Sequence, residues 1–542
     1  GAGAVLKDTV AALHAVSDRP LILREVPIRT GEEVTGFVDL VSEKAYGFKG
    51  HEDAVLRQVP EDVTAEEREA RRVLLEKLAD HDDRLMEEIL EDVQPSAEEI
   101  EANLRKDLQA DLVVEVFFGS AEGDHGVIRL LDALRGEAPD VTVTAARNGV
   151  PTGGGFLAQA FKTVHAPHVG KLSWVRVWRG DVSDTEVLGS HRVAGVYRPL
   201  GASNTKLPGT SAGDVVALGH LDSVRTGQGI AADGPLDLPW TPVIQPAAAL
   251  AVQTTKRGDD VKLSSALAKL SDEDPSLQIE QNAETHDQIL WGQGELHLRL
   301  ALERLKARFG LEVSTGAPQV PYRETIRAKT SVHGRFKHQS GGHGAFGDVQ
   351  IEIEPTSRGE GYAFEERIVG GVVPRQYFSS VDKGAREFMK QGPLGYPMVD
   401  LKVALVHGSY HAVDSSDAAF QQATRVALTD GIPKCAPVLL EPVLELEISI
   451  PNDATARVQR MVGSRRGGQL LGYDTREGWT GWDVVRARMP QTELRDLVTE
   501  LRSLTQGVGT FKWGFHHLQE VDGKEAERVV EARKKYLADR RG

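Results

Sequence analysis

The spacing of apolar positions along this chain changes several times, and each change marks a new element. Residues 21–41 alternate around Gly31 and read as short strands. Two helices follow, opened by Thr64 with Glu67 and by Ser96 with Glu99, pairs in which hydroxyl and carboxylate satisfy free amides of the first turn. Val73, Leu74, Leu78, Leu85, Ile89, Leu90 and Val93 form an apolar stripe between acidic faces. Residues 112–118 form a buried-type strand ending at Gly119-Ser120-Ala121, with a helix over 127–134 behind it. A glycine-rich linker, 149–155, leads into short alternating strands over 156–236, such as 172–178, broken at intervals by glycine, which predicts a β-barrel. Residues 243–316 then give strand, helix, strand, strand, helix, strand, and 438–516 repeat that order. Both segments read as ferredoxin-like β-α-β-β-α-β units. Between them, 317–437 is an α/β segment with long glycine-rich turns, and an amphipathic helix, 524–538, closes the chain through Ala526, Val529, Val530, Ala532 and Leu537.

A chain of 542 residues exceeds what one hydrophobic core organises, so it holds several domains. Hydrophobic residues make up 40% and charged residues 27%, so nothing in the composition argues for extended disorder. No apolar run is long enough to cross a membrane as a helix and no secretory leader pattern is present, so the chain reads as cytoplasmic. The single cysteine, Cys435, excludes an internal disulfide and cysteine-based metal centres. Sixty-four Lys+Arg against 80 Asp+Glu leave a net charge of -16, which at long range disfavours a polyanionic partner. The acid is concentrated in 61–111, whereas 455–508 carry Arg457, Arg460, Arg465, Arg466, Arg476, Arg486, Arg488, Arg495 and Arg502. A local basic surface is therefore compatible with the acidic total.

Candidate chemistry gathers at residues 403–420, where an apolar strand meets a helix through a turn holding His407, Ser409, Tyr410, His411 and Ser415. That turn resembles the domain IV tip of the translation elongation factor G family. The resemblance continues in Gly292-Gln293-Gly294-Glu295-Leu296-His297-Leu298, Pro321-Tyr322-Arg323-Glu324-Thr325, Gln339-Ser340-Gly341-Gly342 and Leu501-Arg502-Ser503-Leu504-Thr505, in the family's order. It implies a multidomain α/β and β architecture. Residues 1–148 would be the end of a G domain with its helical insert, 149–242 a β-barrel domain II, and 243–317 and 438–517 ferredoxin-like domains III and V. Residues 318–437 with 518–542 would form domain IV.

The same resemblance implies a monomer acting on the ribosome, with rRNA, the decoding centre, the GTPase-associated region, tRNA and mRNA as partners and no membrane. The RNA-binding tip would comprise Gly408, Ser409, Tyr410 and His411, beside a second tip formed by Gln339, Ser340, Gly341, Gly342 and His343. Glycine would allow close approach, hydroxyls would donate to RNA, and rings would stack. Asp414 or Ser415 is the expected N-cap of the helix that follows. Ser464-Arg465-Arg466-Gly467 matches the family's domain V arginine turn, suited to paired contacts with rRNA phosphate. Gly119, Ser120 and Ala121 match the triplet that supplies backbone contact to guanine.

Departures accompany the match. The family has arginine at the place of His343, tyrosine at Phe346, aspartate at Ala412 and arginine at Val508, and Gly392-Pro393-Leu394-Gly395-Tyr396-Pro397 is one residue short. Translocation is the family's reaction, and ribosome recycling or protection becomes the alternative for a divergent paralogue. A reading of another class is a non-ribosomal ferredoxin-like regulatory protein.

GTP and magnesium belong to the family's full-length proteins, yet neither Gly-Lys pair of this chain stands in a phosphate loop and no asparagine precedes a lysine. The chain begins just after the place of the guanine-reading motif, so a truncated form of a longer protein is the expectation. No catalytic residue and no cofactor are expected in it, and these 542 residues alone should give no ribosome-stimulated GTP turnover, which a phosphate-release assay checks. Three motifs point elsewhere. Gly342-His343-Gly344-Ala345-Phe346-Gly347 fits a dinucleotide fingerprint but precedes a strand pattern rather than a helix. Gly209-Thr210-Ser211-Ala212-Gly213 fits a nucleophile elbow without the flanking strand and helix, and reads as a barrel turn. Gly467-Gly468-Gln469 sits between helix and strand of a ferredoxin-like unit, and the histidine pairs lack metal-ligand spacing, so no metal is expected.

Overall fold

A computed structural model describes the chain apart from residues 1–5, 50–51, 152, 167–168, 202, 257, 283–286, 341–342, 522 and 540–542. The fold divides into two compact units, 1–161 with 172–240, and 162–171 with 241–542. In the first, Glu25–Thr30, Glu33–Asp39, Lys44–Lys49 and Glu52–Arg57 form an antiparallel meander, while Leu21–Leu23 pairs in parallel with Val114–Val116. Helices Thr64–Ala79, Asp83–Leu90 and Ala97–Gln109 bury Leu74, Leu78, Leu85, Ile100 and Leu104 against Ile22, Val38 and Leu40.

Ser96 caps its helix as expected, its hydroxyl accepting from the Glu99 amide at 3.2 Å. Thr64 does not: helix Thr64–Ala79 begins at Val63 with no side-chain cap, and the Thr64 hydroxyl donates to the Pro60 carbonyl at 3.2 Å. The expected barrel segment is a seven-stranded antiparallel sheet with two short two-stranded ribbons around Ala158, Val175, Val177, Val196, Val216 and Leu218. Among the described residues its end strands, Ser203–Leu207 and Gly234–Leu236, do not pair with each other.

The second unit contains both predicted repeats. Ala248–Thr254, Gln278–Gln281, Gln288–Gly292 and Val313–Gly316 pair antiparallel, with the first strand between the third and fourth, and helices Asp260–Glu273 and Glu295–Phe309 cover one face. Pro437–Pro451, Gln469–Thr475, Trp482–Pro490 and Thr510–Glu520 repeat that order. Alternation explains the second sheet: Leu444, Leu446, Ile448 and Ile450, spaced by two, all face helices Thr455–Ser464 and Leu497–Leu504.

Between the repeats, Thr330–Ser340, His343–Pro355, Leu401–Ser409 and Tyr362–Glu366 form a sheet in that spatial order. Tyr362–Glu366 runs parallel to Leu401–Ser409, as its connection through helix Phe378–Met389 requires. Helix Asp417–Gly431 lies across the hairpin through Ala419, Phe420, Ala423 and Ala427. It seats at backbone distance because Gly334 and Gly347 lie beneath it: a Cβ there would stand 2.3 Å from the Ala423 carbonyl and 2.4 Å from that of Ala419. The helix ends where Pro433, which has no amide to donate, enters a short 3-10 turn. Cys435 is buried, and that burial pushes its thiol pKa up. No described helix is long and apolar enough to span a membrane.

Candidate nucleic-acid interface

The turn after Leu401–Ser409 is built by that strand's own register. Val403 and Leu405 enter the core, a bulge opposite Gln350 and Ile351 shifts the alternation, and Gly408 then pairs with Val349 while Ser409 pairs with Asp348. A Cβ at Gly408 would lie 2.3 Å from the Asp348 carbonyl, so this glycine lets two strands approach each other. Gly408 is buried, which corrects the expectation that it opens a path to RNA. Ser409 is also engaged within the fold, its hydroxyl donating to Asp348 Oδ2 at 2.5 Å while His333 Nε2 meets the other carboxylate oxygen.

Tyr410 and His411 remain outward, 49% exposed in one case and with a side chain 57% exposed in the other. The turn that carries them is fastened at several points. The His411 amide donates to Ser415 Oγ at 2.9 Å, and the Ser415 hydroxyl donates to the Phe346 carbonyl at 2.9 Å. The Phe346 amide donates to the Asp414 carbonyl at 2.8 Å, and the Tyr377 hydroxyl to the Ser415 carbonyl at 3.2 Å. Two amides, of Val413 at 3.4 Å and Asp414 at 3.2 Å, donate to His411 Nδ1. Asp414 Oδ2 stands 3.2 Å from the same nitrogen. An exposed imidazole beside an exposed phenol is the chemistry this turn offers. The helix cap is Ser416, accepting from the Ala419 amide at 3.3 Å; Asp414 and Ser415, the expected caps, serve the turn instead.

The backbone hairpin places Gln339 opposite Gly344 and Ser340 opposite His343, while Gly341 and Gly342, and the side chains of Gln339, Ser340 and His343, lie outside the described residues. Sequence reasoning missed Arg335 and Lys337, exposed on alternate positions of the same strand, with Arg335 5.3 Å over the Phe346 ring. Their spacing by two on a half-buried strand was the available signal.

At the other two candidate sites Gly119, Ser120, Ala121, Arg466 and Gly467 are exposed, but several of their polar groups are bonded within the fold. Arg465 is 12% exposed, donating to the Glu493 carbonyl at 2.6 Å and to Glu500 at 2.5 Å. Arg466 forks onto both Glu441 oxygens at 2.6 Å and onto Thr492 at 2.8 Å. Glu441 holds the Arg466 guanidinium in its charged form, its pKa raised. Gly467 has φ 64° and makes the turn. The expected phosphate fork is thus occupied by the protein's own carboxylates.

At Gly119, Ser120 and Ala121, the Ser120 amide and carbonyl are exchanged with His125 at 3.0 Å, whose ring stacks on Phe48 at 4.6 Å. The buried Glu25 carboxylate accepts from the preceding Phe118 amide at 2.9 Å, and burial pushes its pKa up to about 7. The Ser120 amide and carbonyl are thus committed to His125, so that residue has no free backbone group to offer guanine. Among the described residues no cluster of three or more His, Cys, Asp or Glu could hold a metal.

Comparison with known proteins adds to this geometry. Family models for elongation factor G domain III, domain IV and the elongation factor G C-terminus match residues 243–317, 318–436 and 438–529. An elongation factor G-like protein of Synechocystis sp. is 49% identical over 521 residues, covering 96% of this chain and 78% of that protein. A protein of Thermus thermophilus, known from its crystal structure, superposes with TM-score 0.80 at 32% identity, covering 98% of this chain and 78% of that one. With both sheet orders, the intervening α/β domain and these matches in agreement, the chain belongs to the elongation factor G family.

Proposed function

We propose that this chain acts on the ribosome in the movement of tRNA and mRNA, presenting the Tyr410-His411 turn to RNA. One observation carries the reading: an aromatic pair with an imidazole donor is held outward on a turn pinned to Phe346, Ser415 and Tyr377, so presentation needs little ordering on contact. Arg335 and Lys337 add positive charge two strands away in the same sheet, where the chain's net charge of -16 would otherwise repel RNA. The double variant Tyr410→Ala/His411→Ala is expected to weaken co-sedimentation with 70S ribosomes about tenfold, the scale of losing one good stack. Unchanged binding across a salt series would refute the tip's role.

A second reading, recycling or ribosome protection, is favoured by Ala412 and Val508, which stand where the family resemblance sets charged residues. Loss of mRNA movement in the double variant supports the first reading; loss of subunit splitting with movement intact supports the second.

A further inference from the structure

The hairpin joining Gln469–Thr475 to Trp482–Pro490 carries an aromatic stack outside the sites described above. The Arg476 amide donates to the Trp482 carbonyl at 2.8 Å, the Trp479 amide to the Arg476 carbonyl at 3.1 Å, and the Trp482 amide to the Trp479 carbonyl at 3.2 Å. Gly478 and Gly481 take φ of 73° and 79°, the left-handed values this tight reversal requires. The Gly481 carbonyl accepts from the Asn452 amide at 2.9 Å, anchoring the loop to the end of the long central strand. The loop is therefore a fixed platform.

On it, the Arg476 guanidinium lies 3.7 Å from the centre of the Trp479 ring, and Trp482 meets Trp479 edge to face at 5.1 Å. Trp479 is 48% exposed. Neighbouring arginines of the same sheet are neutralised, Arg486 by Asp474 at 2.5 Å and Arg488 by Glu445 at 3.2 Å. Arg476 has no carboxylate within ion-pair distance among the described residues. An indole with an unneutralised guanidinium on one face is a surface that both stacks on a planar ring and attracts phosphate.

We infer that the Arg476-Trp479 stack is a second RNA contact, taking an unpaired base. A protein partner would have to bring an aromatic ring and a carboxylate from separate side chains, whereas a nucleotide carries a stacking ring and an anion in one unit. The inference rests on the reading that the chain meets RNA, but uses a surface separate from Tyr410 and His411.

Anisotropy of a labelled single-stranded oligoadenylate with the full chain at low salt tests it, with circular dichroism confirming that each variant folds. Trp479→Ala is expected to weaken binding about tenfold, Trp479→Phe to restore most of it, and Arg476→Ala to weaken binding and lower the salt slope by about one phosphate contact. Tyr410→Ala/His411→Ala serves as the parallel arm: if only that pair matters, the hairpin inference falls and the tip reading stands; if only Trp479 matters, the reverse holds. Absence of oligoadenylate binding by the wild-type chain overturns the inference. So does a Trp479→Ala variant that loses ribosome co-sedimentation while binding oligoadenylate normally, which assigns the hairpin to a protein partner.

Discussion

Arg466→Ala is expected to destabilise the C-terminal ferredoxin-like domain by about 3 kcal/mol, the low end of the range for breaking a buried ion pair. The Glu441 carboxylate is 1% exposed and takes both its guanidinium bonds from Arg466, at 2.6 Å each. Removing the arginine leaves the buried carboxylate without its two guanidinium donors. The effect stays at the low end because the Arg466 side chain is 38% exposed, so solvent partly enters the vacated space. Lysine should recover only part of the loss, since one ammonium cannot span two carboxylate oxygens. The discriminating measurement is a double-mutant cycle: Glu441→Gln in the Arg466→Ala background should restore denaturant resistance well beyond the sum of the single changes. Strict additivity would show that the pair contributes nothing.

That case marks where sequence was legible and where it was not. The two β-α-β-β-α-β units could be read because their signals are local: Leu444, Leu446, Ile448 and Ile450 repeat at two, and helix Glu295–Phe309 keeps its apolar residues Leu298, Ala301 and Leu305 at helical spacing. The identity of polar partners is not local. Arg465 and Arg466 have the composition of a phosphate fork, but Glu441, Glu493 and Glu500, brought in from a strand and two later segments, reach them first. Gly408 has the composition of an access point, but its closeness is to the Asp348 backbone. Asp414, Ser415 and Ser416 are equally able to cap a helix. Only the positions of His411 and Phe346 draw the Ser415 hydroxyl away and leave Ser416 to do it. Tyr410 and His411 stand exposed because, among the described residues, no distant segment covers their rings.

Glu324 sets the second large effect, a pH dependence of the turn at 392–397. Its carboxylate is fully buried, accepts from the Tyr396 amide at 2.6 Å and the Leu394 amide at 3.0 Å, and among the described residues has no cation in contact. Burial pushes its pKa up to about 7, with the amide bonds opposing that rise. The folded pKa lies above the unfolded value near 4.5, so between these limits the native state holds the extra proton. Stability from this group is therefore complete below about pH 4.5 and declines as pH rises through about 7, by about 3 kcal/mol as an upper bound.

Glu324→Gln removes that titration while keeping one acceptor, so the variant should be weaker than wild type near about pH 5 and gain on it as pH reaches about 8. Amide exchange at Leu394 and Tyr396 is the direct readout, because a chain of several domains has no single unfolding midpoint. Wild-type protection there should fall between about pH 5 and about pH 8 relative to the variant. The comparison also cancels other groups with pKa near 7, Glu25 and Glu115, which lie in the other unit. A constant gap between wild type and variant across that range would mean that Glu324 ionises as an ordinary carboxylate and that the turn is held by packing of Tyr396 against Tyr322 and Arg533.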